Sequence, residues 1–401
     1  MTDSSPLHPD AVTAAVAQLY DTFPFPPDPV LDEAPPGYNW RWSWPAAYAF
    51  CTGGQLPPPT PPRILDAGCG SGVSTEYLAH LNPTADITAI DISAGTLNVA
   101  RERARRTCDA AGRQLVFRQM SLYDAGELPG EFDLINSVGV LHHLADPVRG
   151  LQALAAKLAP GGLLHLFLYA KIGRWEIGLM QEALMLLRTR LPDNALPQAV
   201  KLGRSVFGAL PETNRLRLRE QQRWSLENQR DECFADMYLH PQEIDYEIPS
   251  LFALLDQTDL QFVGFSNPHV WQLERLLGSD PECLARAETL SERDRYRLIE
   301  LLDTDISHYE FFLARTPLPR FHPNDDRAWQ GAIPQHHPCL DGWPARAIFD
   351  PDYQLLRFTD AEFDLMHACD GQTPVPILLE KGFAFATLRS LLQKRAIVLM
   401  V

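Results

Sequence analysis

Residues 63–72 read RILDAGCGSG, and this stretch decides the fold. An apolar strand pattern runs into Asp66 and then into three alternate glycines, just ahead of the helical segment VSTEYLAHL at 73–81. Glycine lets the backbone approach a ligand because no Cβ stands in the way, and the first turn of a helix offers free N–H donors. The stretch therefore predicts a ligand-binding turn at the carboxyl end of the first strand of an open α/β sheet.

The sequence on either side repeats an alternation of strands and helices. Apolar strand patterns follow at DITAID (86–91), LVFRQM (115–120), FDLINSVG (132–139), LLHLFLYA (163–170), QFVGFSNP (261–268) and HYEFFLARTP (308–317). Between the fourth and fifth strands, Asp146-Pro147 marks a helix start and Pro160-Gly161-Gly162 marks its end. This order predicts a doubly wound, seven-stranded, mostly parallel sheet of the Rossmann-like kind.

Changes in composition divide the chain into three parts. Residues 1–60 are rich in aromatic residues and proline, and we expect a lid or arm there. Residues 61–317 hold the α/β pattern, with a polar and helical insertion at about 171–248. Residues 318–401 are predicted to form a small separate domain.

Charge and cysteine content limit the function. The formal net charge of −16 disfavours a nucleic-acid partner, because no long basic run is present to meet a phosphate backbone. The 7 cysteines are scattered, which argues against a disulfide framework and a zinc site and favours a reducing cytoplasm. No stretch is apolar enough for a membrane helix, and no compact set of ligands predicts a metal. The oligomeric state stays open, with a homodimer as one alternative.

Asp91 ends the second strand and is the second part of the ligand-site pattern. It stands at the spacing where an acidic side chain accepts hydrogen bonds from ribose hydroxyls. The alternative is that Asp91 only caps the following helix. A nicotinamide cofactor is the competing ligand, but Val73 stands where the last glycine of the dinucleotide motif would fall.

These segments together resemble the class I S-adenosylmethionine-dependent methyltransferases over about residues 60–317. The resemblance is carried by DAGCGSG, by TAID, by FDLINSVGVLHHLADP and by LAPGGLLHLFLYA. It implies that S-adenosyl-L-methionine is the cofactor, that Gly68 and Gly70 pack against its methionine part, that Asp66 lies close by, and that Asp91 holds the ribose.

The adenine end of the implied site departs from the family pattern. Such enzymes often carry an acidic residue after the third strand, whereas FRQMSLYDAG offers Ser121, with Asp124 three residues later. Either Ser121 serves through its hydroxyl or Asp124 serves through a shifted loop. The resemblance implies that Ile92, Ser121 and Leu122 complete the cofactor site at this end.

The N-terminal segment LYDTFPFP resembles an aromatic segment that folds over the cofactor in related methyltransferases. This resemblance implies a lid formed by Tyr20, Phe23 and Phe25, with Tyr20 at the cofactor. The alternative is a hydrophobic arm packed on the core.

Candidate catalytic residues follow the fourth and fifth strands. The loop SVGVLHHLADP places His142 and His143 at the edge of the sheet where loops build active sites. His142 is the preferred general base of the two. Its alternative is a structural, hydrogen-bonded imidazole. Tyr169 ends the fifth strand, where it contacts the acceptor or is an ordinary half-buried tyrosine.

The insertion supplies further acceptor-site candidates. LYAKIGR (168–174) and DECFADMYLHP (231–241) are similar to segments of related bacterial methyltransferases, which implies roles for Arg174, Asp236, Tyr238 and His240. As isolated polar residues, these side chains have solvation or local pairing as the alternative.

Residues 346–401 resemble a winged-helix unit of the peptide-binding modules found in ribosomal-peptide modification enzymes. A helix, an Asp-Gly turn, a second helix and a terminal apolar strand carry the resemblance, although any small packed appendage has similar elements. The sequence therefore predicts methyl transfer to a small-molecule or peptide acceptor. A nicotinamide-dependent oxidoreductase and a non-catalytic cofactor-binding scaffold remain the alternatives.

Overall fold

The fold was taken from a computed structural model. It describes residues 9–401 except 109–111, 113–114, 190, 193–194 and 279.

The helices and strands follow the predicted alternation. The first part of the chain forms α1 (Pro9–Thr22), α2 (Trp44–Thr52), β1 (Arg63–Ala67), α3 (Val73–Leu81), β2 (Asp86–Asp91), α4 (Ala94–Thr107), β3 (Leu115–Gln119), β4 (Phe132–Val138), α5 (Pro147–Ala155) and β5 (Leu158–Tyr169). The middle part forms α6 (Trp175–Leu187), α7 (Leu196–Ala209), α8 (Arg215–Arg223), α9 (Asp231–Leu239), α10 (Ile248–Leu255), β6 (Gln261–Phe265), α11 (Glu274–Leu277), α12 (Pro281–Glu288), α13 (Glu292–Leu302) and β7 (His308–Ala314). The last part forms β8 (Ile333–His336), β9 (Ala347–Phe349), β10 (Leu355–Arg357), α14 (Asp360–Ala368), α15 (Val375–Glu380), α16 (Phe385–Gln393) and β11 (Ile397–Met400).

The main sheet has seven strands in the order β3-β2-β1-β4-β5-β7-β6. The strands from β3 to β5 are parallel, and β7 runs antiparallel between β5 and β6. The predicted mostly parallel, doubly wound sheet is confirmed. Its order reverses between β1 and β4, so the crevice for a ligand opens at their carboxyl ends.

The helix between β4 and β5 begins as predicted but ends earlier. The Asp146 side chain caps α5 by accepting from the Arg149 N–H, with Pro147 in the first turn. However, α5 ends at Ala155 and β5 already starts at Leu158, so Pro160-Gly161-Gly162 lies inside the strand. The pairing with β4 shifts register between Phe132 and Leu134, and this irregularity lets the strand include a proline.

Hydrophobic clusters cover both faces of the sheet and each added part. One face packs on α5 and α10, and the other packs on α2 and α3, so α2 belongs to the core although it lies within the predicted arm. Leu19 of α1 packs instead with Ile177 and Phe234 of the helical insertion. The C-terminal residues form a further cluster between Phe321 and Leu399.

Candidate active site

The turn after β1 is held in place from both sides. Buried Asp66 accepts hydrogen bonds from the Ser74 and Thr75 hydroxyls at the start of α3, at 2.7 and 2.6 Å, and from the Asn136 amide at 2.9 Å. Gly68 has φ +85°, and a Cβ there would lie 2.3 Å from Val140. The turn can therefore take this shape only with glycine at position 68.

Asp91 ties the end of β2 to this turn. Its Oδ2 accepts the Gly70 N–H and its Oδ1 accepts the Ser93 N–H, both at 2.9 Å. Burial raises the pKa of Asp91, although these two backbone hydrogen bonds oppose the rise. The carboxylate lines the cavity described next, where its remaining lone pairs can accept hydrogen bonds from hydroxyl groups.

A single cavity of about 720 Å³ runs from the glycine turn to the ends of β4 and β5. At the turn end it is lined by Gly68, Cys69, Gly70, Asp91, Ile92, Met120, Ser121, Leu122, Gly139 and Val140. A smaller depression of about 440 Å³ shares Ile92 and Ser121 with it and is lined by Asp124. Ser121 therefore reaches the main cavity and Asp124 lies outside it.

The N-terminal segment covers the glycine turn. The Phe25 carbonyl accepts the Ser71 N–H at 2.9 Å, and a Cβ at Gly70 would lie 2.5 Å from the same oxygen. Tyr20 and Phe25 line the cavity, whereas Phe23 packs among the insertion helices. The Tyr20 hydroxyl donates to Asp236 on α9 at 2.9 Å, which joins α1 to the insertion.

The adjacent histidines after β4 have different surroundings. His143 lines the cavity, whereas His142 is 0% exposed and does not line it. The His142 ring packs at 3.9 Å from the Tyr169 ring, and neither of its nitrogens has a hydrogen-bond partner in the described structure. The structure therefore places His143 at the cavity wall, and not His142, which the sequence favoured.

The protonation of His143 follows from its hydrogen bond. Its Nδ1 lies 3.0 Å from the carbonyl oxygen of Gln242, which can only accept, so Nδ1 carries the proton and Nε2 keeps its lone pair. Burial lowers the pKa of His143 to about 4, so the ring is neutral at pH 7. His240 stacks on it at 3.6 Å but does not line the cavity, and its Nδ1 accepts the Gln242 N–H.

Tyr169 and Arg174 form one unit at the far end of the cavity. The Arg174 guanidinium lies 3.4 Å from the Tyr169 ring centre and pairs with Glu243 at 2.9 Å. Burial lowers the pKa of Arg174, but the nearby Glu243, Tyr169 and Asp245 outweigh this and raise it. Burial also raises the pKa of Tyr169, so its hydroxyl keeps its proton.

Comparisons with known proteins identify the family. A family model described as a methyltransferase domain matches residues 65–164. An uncharacterized protein of Synechococcus sp. is 54% identical over 397 residues, which cover 98% of this chain and 94% of that protein. The ubiquinone biosynthesis O-methyltransferase of Xanthomonas euvesicatoria pv. vesicatoria is 39% identical over 105 residues, covering 26% of this chain and 41% of that protein.

The chain contains a class I S-adenosylmethionine-dependent methyltransferase domain. The structure of PKMT2 from Rickettsia typhi has a TM-score of 0.58 at 13% identity, covering 91% of this chain and 77% of that one, and supports the fold alone. The predicted family, enzyme class and cofactor are therefore confirmed. Neither the nicotinamide-dependent alternative nor the non-catalytic scaffold is favoured by these findings.

The methyltransferase cavity fits S-adenosyl-L-methionine on its own geometry. The turn presents glycine backbone to the cavity at Gly68 and Gly70, and Asp91 offers acceptors for hydroxyls. Across the cavity, a Cβ at Gly139 would meet no atom within 4 Å, so the backbone there is open to a ligand.

The methyltransferase site also contains residues that the sequence did not single out. The cavity is further lined by Trp42, Phe167 and His308 and, from the insertion, by Arg223, Trp224, Asn228, Cys233 and Met237. Asn228 is buried, its amide nitrogen donates to Glu220, and its Oδ1 has no partner in the described structure. Tyr238 bonds to Glu220 within the insertion and does not line the cavity. Only the folding of the insertion over β5 reveals this wall.

Among the described residues of the methyltransferase, no group of three or more His, Cys, Asp or Glu side chains could hold a metal ion. None of the described helices is long and apolar enough to cross a membrane.

Proposed function

We propose that this methyltransferase transfers the methyl group of S-adenosyl-L-methionine to a small molecule, or to one side chain of a peptide, inside this cavity. The observation that carries the proposal is the continuity of the 720 Å³ cavity from Asp91 to His143 and Tyr169. Small-molecule sites commonly measure about 300–1,000 Å³. A cavity of this size that also holds the cofactor leaves room for a compact acceptor group.

The turn end binds the cofactor in this proposal. Gly68 and Gly70 receive the methionine part, Asp66 keeps the turn in place, and Asp91 accepts from the ribose hydroxyls. Ile92, Ser121 and Leu122 surround the adenine ring, since they line the cavity next to the end of β3. Tyr20 closes the cavity from α1 through its bond to Asp236.

The acceptor end orients and deprotonates the acceptor. The bound cofactor supplies a methyl group on a sulfonium, which an acceptor lone pair attacks in line. Because its Nε2 lone pair has no partner among the described residues, His143 takes the acceptor proton. His142 and His240, the candidates from the sequence, support the His143 and Tyr169 rings by stacking.

Tyr169 and Arg174 shape the wall next to His143. Arg174 is held by Glu243 and lies over one face of the Tyr169 ring, which keeps that ring fixed beside the acceptor. Fixed orientation is the main catalytic need here, because a displacement requires a near-attack geometry.

The proposal extends to the cellular location, the C-terminal part and the oligomeric state of the enzyme. Buried Cys51, Cys69 and Cys339 are free thiols, as suits a cytoplasmic protein. The resemblance of residues 346–401 to peptide-binding modules supports a role of the C-terminal part in acceptor recognition, with a peptide as the alternative to a small molecule. A homodimer is also proposed, and a measurement of the molecular mass of the protein in solution tests it.

Labelled methyl transfer tests the proposal. Protein, methyl-labelled cofactor and separated small-molecule and peptide fractions are incubated, and the labelled product is identified by mass spectrometry. We expect His143→Gln to bind S-adenosylhomocysteine like the parent but to transfer about 10²- to 10⁴-fold more slowly, because the proton acceptor is gone. We expect Asp91→Ala to lose the binding itself.

His142→Gln is the matched comparison: its ring supports its neighbours without lining the cavity, so we expect it to lower the rate less than His143→Gln does. Equal transfer rates in the parent and in His143→Gln would show that His143 is not the general base. Failure of the parent to bind S-adenosylhomocysteine in calorimetry would refute the proposed cofactor site.

A further inference from the structure

His308 lines the cavity and has no role in the function proposed above. It is the first residue of β7, which runs antiparallel to β5, and it pairs with Tyr169 at the edge of the sheet where β5 ends. Its ring stacks on the Phe167 ring with centres 4.5 Å apart. Phe167 lies beside Tyr169, and Tyr169 lies beside His143. Two aromatic rings therefore separate the two cavity-lining histidines along one wall.

The backbone that leads into His308 is held by the helical insertion. The Arg223 guanidinium of α8 donates to the carbonyls of Asp305 and Gly173 at 2.9 and 3.1 Å. A Cβ at Gly173 would lie 1.9 Å from the Ile306 carbonyl oxygen, so the two chains are in close contact there. These contacts fix the start of β7, and a fixed backbone restricts the position of the His308 ring.

One ring nitrogen of His308 is open to a ligand. Nδ1 lies 3.3 Å from the Ser307 hydroxyl oxygen. Nε2 has no hydrogen-bond partner among the described residues, and it is not enclosed in the way that both nitrogens of His142 are. Because the residue lines the cavity, a molecule bound there can reach this nitrogen.

The ring of His308 is neutral at pH 7. Burial lowers its pKa, and nearby guanidinium groups lower it further, although Glu310 opposes them. These guanidinium groups belong to Arg41, Arg174 and Arg223. A neutral imidazole has one donor nitrogen and one acceptor nitrogen. Since the Ser307 hydroxyl can donate or accept, Nε2 can take either role toward a ligand.

We propose that His308 is a specificity-determining residue whose Nε2 forms a hydrogen bond with a polar group of the acceptor, apart from the atom that receives the methyl group. A hydroxyl or an amide fits this contact, because each can both donate and accept. The inference rests on the proposed function and gives the acceptor two points of contact. His143 takes the proton, and His308 holds a second group on the other side of Tyr169 and Phe167.

Chemical modification of the full chain tests whether Nε2 is open. Diethyl pyrocarbonate acylates accessible neutral imidazoles, and mass spectrometry of the peptides locates the product. With S-adenosylhomocysteine bound, we expect His308 to react and the enclosed His142 to stay unmodified. His269 is exposed, follows β6 at the same edge of the sheet and should react in every sample. An unmodified His308 beside a modified His269 would overturn the inference.

Labelled methyl transfer tests the contact with the acceptor. The probe is the small-molecule or peptide fraction that the parent labels, and the measured quantity is the amount of that fraction needed for half-maximal labelling. His308→Phe keeps a ring on Phe167 and loses both nitrogens, so we expect it to need about tenfold more. His308→Gln restores a hydrogen-bonding group and should recover most of this loss.

His269→Phe is the matched control, because His269 does not line the cavity, and it should need the parental amount. Calorimetry with S-adenosylhomocysteine should give the parental dissociation constant in all three variants, which shows that they are folded. A parent that labels no fraction would refute the proposed function and this inference with it. A parent that labels a fraction, with His308→Phe needing no more of it, would refute the inference alone. If His308→Phe does not fold, the modification experiment decides.

Discussion

The Asp236 carboxyl group illustrates how one residue combines a structural and an electrostatic role. It sits on α9, is 8% exposed, and accepts from the Tyr20 hydroxyl of α1 across the cavity. Burial is the main cause that raises its pKa to about 7; the Tyr20 hydrogen bond acts in the opposite direction. The contact between α1 and the insertion therefore changes charge near neutral pH.

Asp236→Asn should change how stability depends on pH. A carboxyl group with a pKa raised to about 7 when folded, against about 3.9 unfolded, stabilises the fold at low pH, and this contribution is lost as pH rises through 7. Asparagine keeps an acceptor for Tyr20 without the charge. We expect the variant to gain roughly 2–3 kcal/mol over the parent between pH 5 and pH 8, measured by urea unfolding at both values.

Asp364→Asn, on the exposed side of α14, is the control and should follow the parent. Equal pH slopes for Asp236→Asn and the parent would show that Asp236 is ionised in the fold at ordinary pH.

The sequence predicted individual residues correctly where the backbone conformation permits only one residue type. The roles of Gly68 and Gly70 in the turn could be predicted from the sequence, because only glycine fits there. A Cβ would collide with Val140 at position 68 and with the Phe25 carbonyl at position 70. The sequence could not predict which of His142 and His143 lines the cavity, because the 3-10 turn that contains both residues decides which ring points there.

At the scale of elements, the N-terminal arm after α1 is fixed by buried contacts to α4. The Arg103 guanidinium is 3% exposed and donates to the carbonyls of Asp28, Pro29 and Ser71, while it pairs with Glu76 at 3.4 Å. One side chain thus joins the arm, the glycine turn and α3.

Arg103→Met should release the arm and destabilise the fold by about 3–5 kcal/mol, because Glu76 is left buried without its cation. We expect faster dissociation of S-adenosylhomocysteine in stopped-flow measurements, since the arm covers Gly70. Arg106→Met is the matched control: Arg106 lies on the same helix and also bonds to the arm at Val30, but it is 34% exposed. That change should cost below about 1 kcal/mol, and similar losses in both variants would contradict the prediction.

The elements themselves were largely predictable, because periodicity and caps act locally. Asp146 and Pro147 start α5 as predicted. The start of β5 at Leu158 was missed, because its pairing with Phe132 overrides the turn preference of Pro160-Gly161-Gly162.

At the scale of the whole molecule, the C-terminal part docks on the segment before α2. The Tyr38 and Tyr353 rings stack with centres 4.4 Å apart, and the Tyr38 N–H donates to the Tyr353 hydroxyl at 2.6 Å. Trp40 donates to Asp352, and Arg395 lies 4.3 Å from the Trp40 ring centre. Arg41 follows directly and pairs with Glu310 of β7 at 2.7 Å, so this docking borders the main sheet.

Tyr353→Ala should loosen this docking at a cost of about 1–2 kcal/mol, mainly through the lost aromatic pair. Hydrogen exchange should become faster at the amide of Tyr38, followed in the peptide that covers residues 37–43. Phe349→Ala, a half-exposed aromatic on β9, is the control and should leave exchange at Tyr38 unchanged. Unchanged exchange in Tyr353→Ala would show that other contacts hold the two parts together.

The sequence by itself determined the glycine turn, the acid at the end of β2 and the strand and helix order, because these depend on backbone conformation and short-range periodicity. Tertiary structure alone decided that β7 lies between β5 and β6, that the insertion supplies Arg223 and Asn228 to the cavity, and that Asp66 accepts a hydrogen bond from Asn136 on β4. Each of these joins residues far apart in the chain, and such pairs are fixed only when the strands align and bury their side chains together.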